Sequence, residues 1–331
     1  MKYLKHLITY SCLLVVVFGC KMAKEISADI EEDLVKHDLK EDIWYLNVNS
    51  KKGENIDLFV KEIGVGDTIV VVHGGFGAEH SYMIDLLEPL HHKYHFIYYD
   101  QRGSLRSPVP IDSLITAQSH IDDLEKLRVE LGQDKLNILG HSMGTWIASS
   151  YLEQYPSRVD KMLLLGLVWP KPNMDEDESK ISNEAEEKFS DFLSRPSIDA
   201  IIKKEGFDKA KPSSKIRSYK WRIKFASAAI YDISKWRNMK GGWVFFDQKA
   251  STAAGTTMNQ DYDWIELYKN NPEVKIAVIN GSHDFVDFGG QLHSKWLGDI
   301  SNVEYHYIQN AGHNAWIDEP VIVEEIIDEF F

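Results

Sequence analysis

Cysteine is almost absent: Cys12 and Cys20 are the only two in 331 residues. Both sit in the first twenty positions, so no disulfide framework holds the chain, and its stability rests on a core. Positive charge is also short. The 37 Lys and Arg face 51 Asp and Glu, a formal net charge of -14, which argues against a nucleic-acid partner whose phosphates would need neutralising. Beyond the N-terminus no apolar run is long enough to span a bilayer. Internal repeats and low-complexity tracts are missing. So are paired histidines at helical spacing with a third acidic ligand, and nothing in the sequence calls for a metal or a cofactor. What remains is a chain that is 44% hydrophobic, enough for one large α/β domain or a domain with an insertion.

The N-terminus reads separately. Lys2 and Lys5 make a basic start, Leu13 to Phe18 is apolar, and Gly19-Cys20 closes the run. That is the layout of a signal peptide over residues 1–19. A cysteine directly after "VVVFG" resembles a bacterial lipoprotein signal, which implies lipidation at Cys20, export, and attachment to a membrane by that lipid. Phe18 departs from the usual small-residue pattern of such signals. Cys12 would leave with the signal. Residues 20–42 are polar and charged and are expected to be a tether.

After this, the pattern turns to strands and helices. Residues 43–48 and 56–63 alternate around "NSKKGEN", a hairpin signal. "TIVVVHGG", "HFIYYD" and "KMLLLGLV" are continuous β-branched or apolar runs, expected of strands buried on both faces of a parallel sheet. "SYMIDLLEPLHHK", residues 113–131 and residues 145–154 have helical spacing between them. From about Trp169 the rhythm breaks into an acidic run, "DEDESK", and a helical, aromatic-rich stretch. It resumes at "VKIAVING" and "VEYHYIQNAGH" and closes with a helix over 314–331. The expected fold is α/β: a mostly parallel, doubly wound sheet, with core segments 43–169 and 266–331 and an inserted helical cap over 170–265.

One stretch carries chemistry. "LNILGHSMGT" places Gly140-x-Ser142-x-Gly144 between a buried strand and a helix. In that setting the serine sits on a sharp, strained turn, and the glycines spare Cβ clashes with the neighbouring strand and helix. A serine hydroxyl needs a base, and the base needs an orienting acid. The expected chain order is Ser, acid, His. Asp284, just past a buried strand in "INGSHDFVD", is the candidate acid, with Asp287 as the fallback. His313 in "NAGHNAW" follows the last strand and is the candidate base. The three side chains are expected to meet within hydrogen-bonding reach. Of the 13 histidines, His73 and His141 flank the site but sit inside turn motifs, and are read as turn-stabilising donors. An oxyanion hole would use the N–H of Met143 and one from "HGGFG": Gly75, or its neighbour Phe76.

Together "HGGFG", "YDQRGSLRS", "LNILGHSMG", "INGSHD" and "AGH" resemble, in order and spacing, the α/β-hydrolase fold. Within it the chain resembles the prolyl iminopeptidase type, with "DQRG" (Asp100–Gly103) as the telling segment. The resemblance implies a serine hydrolase, and more finely an aminopeptidase that releases N-terminal proline or another small or apolar residue from short peptides. Three positions depart from that type: Phe76 stands where it has Pro, Leu105 where it has Gly, and no tryptophan is followed by the Glu that would hold a substrate amine. A carboxylesterase or amide hydrolase for small apolar acyl compounds is the alternative, and a non-catalytic binding protein on the same scaffold a further one. In the cap, Trp221 and Phe225 are candidates for an apolar substrate pocket. Glu205, Asp232 and Asp247 are candidate partners for an amine. The acidic run 175–178 is expected to be a solvated hinge of the lid.

Overall fold

The computed structural model describes residues 41–49 and 53–331. The expected signal peptide, Cys20 and all but the last two residues of the tether lie outside the described residues. Within the described residues, no helix is long and apolar enough to cross a membrane.

The β-branched runs do become strands. They are β1 (Glu41–Asn49), β2 (Asn55–Gly64), β3 (Asp67–Val72), β4 (Tyr94–Tyr99), β5 (Leu136–His141), β6 (Val159–Leu165), β7 (Lys275–His283) and β8 (Val303–Gly312). They form one sheet in the order β1-β2-β4-β3-β5-β6-β7-β8. The β1–β2 hairpin and the β2–β4 pair are antiparallel, and every later pair is parallel. The sheet separates two hydrophobic layers by the two-residue period of a strand. Val70, Val72, Ile138, Leu164 and Val278 face one layer, while Ile69, Val71, Leu139, Leu163 and Ile279 face the other. Each such fully buried aliphatic contributes roughly 1.5–3 kcal/mol relative to exposure.

Helices cover both faces. On the first lie α1 (Ala117–Glu130) and α2 (Met143–Gln154). Thr116 starts α1 with a reciprocal capping box to Ser119. Residues 170–265 carry α3 (Glu176–Leu193), α4 (Ser197–Lys204), α5 (Ser214–Ala229) and α6 (Gln248–Gly255), and α7 (Trp264–Lys269) straddles their end. It packs against both layers. Ile223 and Trp236 join the second, while Ala250, Ala254, Trp264 and Tyr268 join the first. The chain finishes with α8 (Gln291–Leu297) and α9 (Pro320–Phe330).

Three local expectations need correction. The stretch 81–93 is not one helix but two 3-10 turns, His80–Met83 and Glu88–Leu90, around a single α-turn, Ile84–Leu87, and Pro89, with no N–H, stops that α-turn from continuing. The last helix is interrupted at Glu319, and Pro320 opens α9 for the same reason. In the acidic run Asp175, Glu176 and Asp177 are exposed as expected, but Glu178 is not, and the run opens a helix. Asp175 caps α3 through a capping box with Glu178. The Glu178 carboxylate is buried and accepts from Trp296 Nε1 at 2.7 Å and Lys171 Nζ at 2.8 Å. Burial pushes its pKa up, but those two donors and the Asp175 N–H outweigh it and hold the group down at about 2. The sequence shows four acids in a row; packing against Trp296 singles out one.

Candidate active site

Ser142 lies between the last residue of β5 and the first of α2, with φ 53° and ψ -122°. A non-glycine residue in that region carries strain of order 1–3 kcal/mol and persists only where its surroundings dictate it. Here they do. The Ser142 N–H donates to the Leu165 carbonyl at 2.9 Å, and its own carbonyl accepts from Thr145 N–H at 2.8 Å and Thr145 Oγ1 at 2.6 Å. Gly144 is required by close approach: a Cβ there would fall 2.0 Å from the Val72 carbonyl oxygen. The helix therefore packs directly onto β3, and the turn has no room to relax.

Asp284 and His313 meet at this turn. Both are buried, and Nδ1 of His313 lies 2.9 Å and 3.0 Å from the two carboxylate oxygens of Asp284. Val286 N–H (2.9 Å) and Asn280 Nδ2 (3.4 Å) donate to the same carboxylate and fix it. A carboxylate at Nδ1 sets the proton there and leaves Nε2 as the basic nitrogen. Nε2 is buried and has no hydrogen-bond partner among the described residues. Two contacts bring this imidazole to the serine. Gly166, the residue after the acceptor of Ser142 N–H, lies under the His313 ring, and a Cβ on it would fall 2.7 Å from Cε1. The ring of His141, next to Ser142, is 4.9 Å from that of His313. The Ser142–His313 hydrogen bond itself is not formed, unlike the Asp284–His313 bond. Such bonds are often long in unliganded sites and tighten around a substrate. Asp287, the fallback acid, is engaged elsewhere: its Oδ2 accepts from His293 N–H at 2.8 Å.

The turn after β3 lies alongside. A Cβ on Gly74 would lie 2.7 Å from Ser142 Cβ. Gly75 has φ +69° and accepts from Ala78 N–H at 2.8 Å. The Gly74 N–H is taken, donating to the Tyr82 hydroxyl at 2.7 Å. Met143 opens α2, where the first N–H groups have no intrahelical acceptor. The Phe76 ring is buried, stacked on His120 at 4.9 Å and edge-on to Trp146 at 6.2 Å, so a large ring replaces proline without leaving the core. Leu105 is exposed.

A family model described as alpha/beta hydrolase fold matches residues 67–320. The chain belongs to this family. It is 29% identical over 134 residues to a proline iminopeptidase of Saccharolobus solfataricus, covering 40% of this chain and 43% of that one. It is 35% identical over 102 residues to a proline iminopeptidase of Lactobacillus delbrueckii subsp. lactis, covering 29% and 34%. These matches span less than half of either relative's length. Among solved structures, a proline iminopeptidase-related protein from Thermus thermophilus superposes with a TM-score of 0.60 at 21% identity, covering 88% of this chain and 97% of that one. A thermophilic esterase from Thermogutta terrifontis gives 0.59 at 21%, covering 87% and 97%.

In this α/β-hydrolase the flanking histidines are neutral structural groups. His73 Nε2 accepts from Gln101 N–H at 3.1 Å while Nδ1 donates to the Gly74 carbonyl at 3.1 Å. The Tyr82 hydroxyl accepts from Gly74 N–H at 2.7 Å and lies 2.6 Å from His141 Nδ1, so His141 is tied to the turn after β3. Burial lowers the pKa of both rings, which keeps them uncharged beside the site.

The cap residues divide. Phe225 lines a cleft of about 570 Å³ together with Trp169, Phe189, Phe285 and Phe288. Phe285 packs against His313, tilted, at 4.2 Å between ring centroids, so this apolar cleft adjoins the imidazole. Trp221 stacks on Phe225 at 5.6 Å and lines a smaller neighbouring cavity with Tyr82, Trp316 and the same Phe225. Glu205 does not line either; it pairs with Arg237 at 2.5 Å. Asp232 caps the turn after α5 through Ser234 N–H, and Asp247 caps α6 through Lys249 and Ala250 N–H. Short-range N–H donors claim these acids before a substrate amine could. Glu186 lines the cleft instead.

Two groups escaped sequence reading. Tyr82 ties the turn after β3 to His141, and nothing in "SYMIDLL" marks it. Glu79 is fully buried and accepts from Arg106 at 2.9 Å, Ser81 N–H at 3.0 Å and Gly242 N–H, which clips the turn to the loop before α6. Ligand atoms of Glu79, His80 and Asp100 lie within 4.8 Å of one another. Their oxygens already hold hydrogen bonds, and Arg106 supplies the positive charge there. The "DQRG" segment explains itself in the same place: Asp100 holds His80, Gln101 holds His73, and Arg102 makes a bidentate pair with buried Asp123 at 2.5 and 2.6 Å.

Proposed function

We propose that the chain is a serine hydrolase that works through an acyl-enzyme. The observation that carries this reading is the Asp284–His313 pair, which leaves Nε2 without a hydrogen-bond partner, at the same turn as a strained Ser142. Ser142 Oγ attacks the substrate carbonyl and His313 Nε2 takes its proton. The carbonyl oxygen becomes an oxyanion facing the N–H groups of Met143 and Gly75, each such donor lowering the barrier by on the order of 2.7–4 kcal/mol. Collapse passes the proton from Nε2 to the departing amine or alcohol. A water, deprotonated by the same nitrogen, then hydrolyses the ester on Ser142.

For the substrate, we propose release of N-terminal proline or another small apolar residue from short peptides. The relatives named proline iminopeptidase and the aromatic cleft beside His313 support it, with Glu186 as the one unclaimed cleft carboxylate for an amine. Hydrolysis of small apolar esters is the second reading. It is favoured by the engagement of Glu205, Asp232 and Asp247 away from that cleft. Export and anchoring through Cys20 are proposed from the N-terminal residues alone; palmitate labelling should vanish in Cys20→Ala, and a chain that takes no palmitate, or a label that persists in the variant, would exclude lipidation at Cys20.

A fluorophosphonate probe should label the protein and fail to label Ser142→Ala. Equal behaviour of the two removes the serine-hydrolase reading. Proline, alanine and leucine anilides set against short-chain p-nitrophenyl esters then separate the two substrates. Ester turnover without cleavage of any anilide removes the peptidase.

A further inference from the structure

The chain is acidic, yet its charge is unevenly placed. Between residues 203 and 240 there are twelve Lys and Arg against three Asp and Glu, an excess of nine positive charges in a chain of net -14. The segment spans the end of α4, all of α5 and the loop beyond. Its shape explains part of the composition. Ile223 and Ala226 of α5 are buried against the core, which turns Arg217, Lys220, Trp221 and Lys224 outward at i, i+3, i+4 and i+7. Lys220 and Lys224 make no ion pair among the described residues, whereas Arg237 and Lys240 are paired with Glu205 and Asp85.

Amid these cations sit large apolar groups open to solvent. Trp221 is 45% exposed, Val244 44% and Phe245 47%. Trp221 and Val244 line one small cavity, so they form one patch although they come from different elements. Core formation does not require a tryptophan there, and solvent does not favour one. A tryptophan ringed by lysines on the outer face of a helix is the composition that settles at the boundary of headgroups and acyl chains, with the ring inserted and the ammonium groups on lipid phosphates.

We infer that this outer face of α5, with the loop carrying Val244 and Phe245, docks on an anionic lipid surface. Charge complementarity selects an anionic bilayer over a zwitterionic one, and the exposed rings select a surface that can be entered over a hydrophilic polyanion. Phe225, stacked on Trp221, also lines the cleft beside His313. The docked face is thus one ring away from the candidate cleft.

The test is vesicle co-sedimentation of the full chain, made as Cys20→Ala so that no lipid is attached. Vesicles of phosphatidylcholine alone are compared with equal parts phosphatidylcholine and phosphatidylglycerol, at low and high salt. Binding is expected to the anionic vesicles only and to fall with salt. Lys220→Gln with Lys224→Gln should weaken it about 25-fold, at about fivefold per lysine, with unchanged thermal unfolding. Trp221→Ala should weaken the part of the binding that salt does not remove. Equal binding to both vesicles would place attachment in the N-terminal apolar stretch and overturn the inference. So would anionic binding that ignores the lysine pair. Capture by immobilised heparin without any vesicle binding would point to a soluble polyanion and overturn it as well.

Discussion

Replacing Asp284 by Asn tests the candidate site most directly. The carboxylate is fully buried and both oxygens lie at 2.9–3.0 Å from His313 Nδ1. When His313 takes the serine proton it becomes a cation about 4 Å from the carboxylate charge. At an effective dielectric of about 20, that attraction is about 4 kcal/mol, or roughly a thousandfold in rate. The amide removes it. Asn can also present an N–H to Nδ1, which would place the ring proton on Nε2 and block the base. The two effects together predict a loss of about 10⁴ in kcat, with KM nearly unchanged because the residue lies behind the imidazole. The assay is the acylation burst with a p-nitrophenyl ester, read alongside thermal unfolding. Asp287→Asn is the control. Its carboxylate holds His293 N–H instead, so less than a tenfold change is expected. A burst rate for Asp284→Asn within tenfold of the unaltered chain, or a larger loss from Asp287→Asn, would refute the assignment.

Other substitutions probe separate links. Ser142→Gly should abolish turnover yet raise the melting temperature by about 2 °C, because glycine adopts φ 53° without strain of about 1 kcal/mol. Gly166→Ala would place a Cβ 2.7 Å from His313 Cε1 at φ +56°. Displacing the ring should cost at least about a hundredfold in kcat, visible in the same burst assay. Glu178→Gln should destabilise by about 1–2 kcal/mol at neutral pH through loss of its charge-assisted bonds. Since the folded pKa is lowered to about 2 from 4.5, that advantage is full above pH 4.5 and fades as the pH falls toward 2. Melting curves of the two chains should therefore converge in acid.

Local pattern determined a good deal about this protein. The run 136–145 sufficed to place a strand, a strained serine turn and a helix, because two glycines around a serine at the end of an apolar run leave few backbone solutions. Continuous β-branched segments marked the parallel strands, since only strands covered on both faces lose their polar alternation. The chain order of Ser142, Asp284 and His313 was legible too: each directly follows a strand of the parallel part of the sheet and so falls at its carboxyl edge. Tertiary structure alone decided which partner each polar group took. Sequence favoured Asp284 over Asp287 only by its position just past the strand, and the path of the chain after β7 gives one to His313 and the other to His293. Glu178 looked solvated until Trp296 and Lys171 packed on it, 118 residues away in one case. The cap acids looked available until nearby N–H groups and Arg237 claimed them. A backbone conformation is set by neighbours along the chain, but a side-chain hydrogen bond is set by whichever group folding brings within about 3 Å, and a one-dimensional pattern does not encode that encounter.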